Sequence, residues 1–182
     1  YIKQMGLFKR IQFELKQILN KWLFNQNSDI YYTENPFISE RLRRLFPNKR
    51  VFTVTNYYNQ IFDKPELWDN SINLPQPQNK TFNLLTISAN YPHKNLGIAV
   101  LVAQYLKKYY PDFSFRFIMT IKEGALGNLS DDLKEHFIFL GPVTIQQCPI
   151  LYQQCDAMFL PTLMECFSAS YAEAMRMKKP II

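Results

Sequence analysis

Apolar and polar positions along this chain change rhythm near residue 80. In residues 7–24, "LFKRIQFELKQILNKWLF", Leu7, Ile11, Leu15, Ile18 and Trp22 recur at helical spacing, with Lys9, Arg10, Lys16 and Lys21 elsewhere on the surface. That predicts an amphipathic helix, which either packs on its own domain or lies as a basic helix against anionic lipid. "SDIYYT", 28–33, reads as a short strand. "NPFISERLRRLFP", 35–47, reads as a helix with Pro36 near its start and Pro47 as its stop. "RVFTVT", 50–55, is a second strand. The next 25 residues, 56–80, are polar, rich in Asn and Pro, without sustained period, and end in "PQPQNK". We place a linker over 57–80, the end of one α/β domain in 1–56, and a second domain in 81–182.

From Thr81 strands and helices alternate. "FNLLTIS", "FSFRFIMT", "FIFLG" and "DAMFLP" read as strands, and "PII" at 180–182 as the start of another. Between them "NLGIAVLVAQYLKKYY", "SDDLKEH", "TIQQCPILYQQC" and "SASYAEAMRMKK" read as helices, with Ser130 placed to cap the second. Such alternation predicts an α/β fold: a Rossmann-like parallel sheet with helices on both faces.

Composition narrows the picture. With 47% apolar and 20% charged residues the chain is core-forming, and no apolar run reaches the ~18–20 residues of a membrane-spanning helix. It opens at Tyr1 and stops inside "KKPII", so it reads as an internal, truncated piece of a longer protein. The net charge of +6 is uneven: residues 1–50 hold ten Lys and Arg against four Asp and Glu, and the remainder holds eleven of each. No zinc-finger spacing or RNA-binding motif accompanies the basic segment, so nucleic acid is not expected; a membrane surface or another anionic partner is. Cys148, Cys155 and Cys166 are odd in number and form no C-x-x-C, which suits free thiols in a reduced cytosol. His93 and His136 are too far apart in sequence to suggest zinc, and no metal site is expected.

Candidate chemistry follows from topology. Ligands of open parallel sheets collect at the carboxyl ends of the strands, where helix N-termini point unpaired N–H groups outward. The loops at that end are "ANYPHKN" with Lys94, "GPVT", and "TLMECFS" with Glu165. A cation, a Gly-Pro turn and a carboxylate suit a phosphorylated ligand with hydroxyls. No G-x-G-x-x-G or P-loop is present. Ser170-x-x-Glu173 matches a capping box, which would explain Glu173 without a ligand but leaves Glu165 unexplained.

At this point the residues become recognisable. "PTLMECFSASYAEAM", 161–175, resembles the E-x7-E signature of the retaining group 1 (family 4) glycosyltransferases with the two-Rossmann-domain (GT-B) fold, usually close to "P-S-x-x-E-G-F-G-x-x-x-x-E-A-M". "LLTISANYPHKNL" is similar to that family's first strand and lysine loop, "FIFLGPV" and "LYQQCDAMFLPT" to its later strands, and "KPII" to the strand after the signature. Residues 28–62 are similar to the end of the N-terminal, acceptor-binding domain and the crossover into the second. The family has no D-x-D metal site, and none occurs here.

The resemblance implies a hexosyltransferase that moves a sugar from a nucleotide-diphosphate donor with retention of anomeric configuration, in cell-surface polysaccharide or glycolipid synthesis. Lys94 matches the lysine that neutralises the diphosphate, and Glu165 the glutamate by the donor sugar. Glu173 matches the acceptor of the ribose hydroxyls. Cys166, Phe167, Ser168 and Ala169 occupy the turn whose N–H groups approach sugar and phosphates; Pro142 and Val143 lie near the base. No separate cofactor is implied. The acceptor would be a sugar or a lipid-linked sugar, and the location cytoplasmic, with peripheral contact at the inner membrane face. Two features depart from the pattern. No arginine precedes Lys94, so the second phosphate contact is missing, supplied elsewhere, or replaced by Asn90 or His93, and Cys166 replaces a glycine. A fragment lacking the acceptor-domain loops is expected to be inactive alone. An epimerase of the same fold, or a non-catalytic nucleotide-sugar-binding module, are the alternatives.

Overall fold

The structure, a computed structural model, describes residues 6–75, 80–165 and 167–182. The chain divides into two compact units, Tyr1–Asn56 and Tyr57–Ile182.

The first unit holds helix α1 (Leu7–Asn27), strand β1 (Ile30–Thr33), helix α2 (Pro36–Leu45) and strand β2 (Arg50–Thr53). β1 and β2 pair in parallel, so α2 is the crossover helix that parallel pairing requires. Asn35 starts α2 as predicted: its side-chain oxygen accepts the Phe37 N–H at 2.8 Å, and Pro36 takes the first helical position. Beneath α2, fully buried Ser39 shares its hydroxyl with Thr33 and Thr53, at 2.5 and 2.6 Å. α1 buries none of its residues, and Leu7, Ile11, Leu15, Ile18 and Trp22 lie exposed. Among the described residues no helix is long and apolar enough to cross a membrane.

The second unit contains strands β3 (Phe82–Thr86), β4 (Phe115–Met119), β5 (Phe137–Phe139) and β6 (Ala157–Met158), with helices α3 (Ile98–Tyr109), α4 (Asp131–Lys134), α5 (Cys148–Gln154) and α6 (Ala169–Arg176). The sheet is parallel in the order β5-β4-β3-β6. Ile181 adds a parallel bridge to Met158, extending the sheet beyond β6 as "PII" predicts. Counted along this unit, the order is 3-2-1-4-5, that of a Rossmann sheet, with its switch point between β3 and β6.

Side chains alternate across this sheet. Leu84, Phe115, Phe117, Met119, Phe137 and Ala157 face α3 and α4, where Ala99, Ala103 and Leu133 close against them. Leu85, Ile118 and Met158 face the other way, against Leu151, Tyr152 and Ala174 of α5 and α6.

The stretch read as linker contributes to this second layer. Ile61 and Phe62, on a 3-10 turn at Gln60–Asp63, and Leu74 are buried in the same cluster. Gln154 holds the segment further, accepting the Leu74 N–H at 2.8 Å and donating to the Ile72 carbonyl at 3.0 Å. The polar composition of 57–80 conceals three apolar anchors too widely spaced to show a period. Residues 76–79 lie outside the described residues.

Candidate functional site

The carboxyl ends of β3 and β6 lie side by side at the switch point, and their loops meet there. Fully buried Thr86 ends β3 and donates its hydroxyl to the Phe159 carbonyl at 2.7 Å. Beyond it the β3 loop makes a 3-10 turn, Pro92–Lys94, ending on Asn95 with a left-handed φ of 54°. The His93 carbonyl at this turn accepts the Leu163 N–H at 2.8 Å and the Thr162 hydroxyl at 3.1 Å. Two backbone-anchored loops are thereby clamped together, and their side chains converge: Lys94 Nζ forms an ion pair with Glu165 Oε1. Each of these side chains is only 16% exposed. The two residues are 71 positions apart in sequence, so the fold and not local structure brings them together.

A largely covered cation beside a carboxylate, at the end of a parallel sheet, can receive an anionic group while the carboxylate accepts from hydroxyls. Among the described residues no group of three His, Cys, Asp or Glu is placed to hold a metal ion.

The other predicted positions fall into distinct roles. Asn90 spends its amide on the Ala125 carbonyl at 2.9 Å, tying the lysine loop to the loop after β4. The His93 ring stacks on Tyr91, 5.8 Å between centroids and 7° apart in plane. Pro142 and Val143 follow β5, at the same end of the sheet but two strands from β3. Val143 packs into the apolar layer beside α5 and α6, and Pro142 is exposed. Phe167 is partly buried, Ser168 is the buried N-cap of α6, and Ala169 is its first residue. Cys166 lies outside the described residues.

The capping-box reading of Glu173 fails. α6 starts at Ala169, so Ser170 lies within the helix and cannot cap it; the side chain of the N-cap residue Ser168 makes no capping bond to the helix. Glu173 instead turns into the core, 7% exposed, where its Oε2 accepts from the Tyr152 hydroxyl at 3.4 Å. Nothing local in the sequence points to Tyr152, which reads as one more apolar position on α5; its partner is 21 residues away.

Burial raises the Glu173 carboxyl above its ordinary range, and the Tyr152 bond opposes this only in part. A carboxyl with a raised folded pKa supports folding fully below its unfolded value, and that support is lost as pH rises through the folded one. E173Q is therefore expected to melt above the wild type at pH 8. The gap should close as the pH approaches about 4, near the unfolded carboxyl value. Melting curves across pH check this; a gap independent of pH contradicts it.

Comparison with known proteins agrees with this topology. The family profile described as "Glycosyl transferases group 1" matches residues 81–182, more than half of the chain. The chain belongs to this family. A comparison with curated proteins returned no match. Among solved structures the chain is similar to the pneumococcal O-GlcNAc transferase GtfA in complex with UDP and GlcNAc, with TM-score 0.60, 18% identity, and coverage of 88% of this chain and 31% of that one. It is also similar to S. aureus TarM, with TM-score 0.59, 15% identity, and coverage of 87% and 30%. Sucrose-phosphate synthase from Thermosynechococcus elongatus gives TM-score 0.62, 15% identity, and coverage of 92% and 43%. At these identities the likeness establishes the fold, that of GT-B glycosyltransferases. This group 1 chain spans less than half the length of each of those proteins.

Proposed function

We propose that the protein carrying this chain transfers a hexose from a nucleotide-diphosphate sugar to an acceptor, with retention of anomeric configuration, in cell-surface polysaccharide or glycolipid synthesis. The observation that carries the reading is the Lys94–Glu165 pair at the switch point between β3 and β6. Those two positions match the family's diphosphate lysine and donor-sugar glutamate, and they lie 71 residues apart until the fold joins them. UDP and GlcNAc in the GtfA complex support a donor of this class, as does UDP with TarM. Lys94 would offset the charge that grows on the leaving diphosphate, and Glu165 would stand beside the donor sugar. Glu173 would take the ribose hydroxyls.

The test is product stereochemistry. Incubated with an α-linked nucleotide sugar and its acceptor, the enzyme should give an α-linked product, read from the anomeric proton coupling by NMR. An inverted product, or donor epimerised without any acceptor, contradicts the reading.

We also propose that the first unit contacts the cytoplasmic face of the inner membrane. The exposed apolar stripe of α1, with Lys9, Arg10, Lys16 and Lys21 around it, supports this. Cosedimentation with phosphatidylglycerol vesicles should decline as salt rises; binding equal to that on neutral vesicles contradicts it.

A further inference from the structure

We propose that Tyr152 is a positioning residue for the donor site, its hydroxyl holding the Glu173 carboxylate and the first turn of α6 in one arrangement; this rests on the reading of Glu173 as the acceptor of ribose hydroxyls. Tyr152 is wholly buried on α5, among Phe62, Leu151, Met158 and Ala174. The Phe62 ring meets it edge-on at 5.9 Å, which fixes the plane of the phenol. A phenylalanine would fill the same space without burying a hydroxyl, and a buried hydroxyl is costly unless it is paired.

The hydroxyl has three polar neighbours among the described residues. It lies 3.2 Å from the Ser170 carbonyl, 3.4 Å from Glu173 Oε2 and 3.5 Å from Met158 Sδ. Two of the three belong to α6, the helix that opens directly after the Glu165 loop. Tyr152 carries one hydroxyl hydrogen but can also accept. When Glu173 is ionised, the phenol donates to it. When Glu173 is protonated, the carboxyl donates to the phenol, which then donates to the Ser170 carbonyl. A bond to Glu173 survives in either state. The carboxylate that would meet the ribose therefore keeps its place, and so does the turn of backbone beneath it.

The test reads ribose recognition directly. UDP, GDP and ADP are titrated by calorimetry into the enzyme carrying this chain, and the tightest binder is compared with its 2′,3′-dideoxy counterpart. In the wild type the dideoxy form should bind more weakly. In Y152F the ribonucleotide should weaken about fivefold to tenfold, as expected for the loss of one ordinary hydrogen bond, with the dideoxy form nearly unchanged. The preference for ribose should thus shrink, as it should in E173Q. The double variant Y152F/E173Q should discriminate no less than E173Q alone, since both changes act on one contact. A merely structural tyrosine would weaken both nucleotides alike and leave the preference intact; that result overturns the proposal. An unchanged preference in E173Q removes the ribose role of Glu173, and the proposal with it. The absence of any nucleotide binding in the wild type overturns the donor-site reading itself.

Discussion

Replacing Lys94 with alanine is expected to lower sugar transfer about 10²–10³-fold, the loss typical of removing one preorganised charge partner from a transition state. Melting should change far less. The Lys94–Glu165 pair is mostly covered but neither side chain is wholly buried, so the Glu165 carboxylate left in K94A can still turn to water. Glu165→Ala should separate the two roles. Turnover should fall comparably, yet a nucleotide diphosphate should bind at least as tightly as to the wild type, because the lysine loses a competing carboxylate. Steady-state kinetics and calorimetry on the two variants read both effects. Unchanged turnover in both would remove the pair from the chemistry.

Phe117→Ala is expected to cost about 3–5 kcal/mol of stability, the usual range for emptying a buried aromatic site. Phe117 is wholly buried at the centre of the β-sheet layer. Its ring packs against Phe115, Phe137 and Phe159 at 6.1, 5.2 and 5.2 Å between centroids. Four aromatic rings from two strands, β4 and β5, and the segment after β6 cannot collapse easily into the space one of them leaves. Phe52→Ala, on an exposed face of β2, is the control and should cost well under half as much. Denaturant midpoints compare the two. Equal losses would contradict the placement of the core.

Much of the second unit was legible because parallel strands buried on both faces read as unbroken apolar runs. "NLLT" and "FRFIM" stand out from the polar loops around them, and each lies where its strand was expected. The strand order was not legible, since nothing in β3 or β6 alone specifies which neighbour it pairs with. Lys94 and Glu165 could be nominated all the same, because the switch-point rule requires only that both follow strands of one parallel sheet.

Other parts of the site were misread for physical reasons. The S-x-x-E spacing at Ser170 is a local signal, and local signals yield to tertiary ones. The helix starts earlier, at Ala169, and the Ser170 carbonyl and the Glu173 carboxyl both meet Tyr152, across the gap between α5 and α6. Asn90, one of the options for the second phosphate contact, also straps the lysine loop to Ala125, 35 residues away, which no local signal shows. Ile61 and Phe62 were hidden among Asn and Asp, because two adjacent anchors on a single 3-10 turn leave no period to detect.

We propose that a nucleotide diphosphate sits at Lys94. Calorimetric titration of UDP, GDP and ADP into the wild-type enzyme and K94A tests it most directly. At least one of the three should bind the wild type, and K94A should weaken that nucleotide at least about tenfold, the share of one charge-assisted contact to phosphate. Equal affinity in K94A and wild type would contradict it.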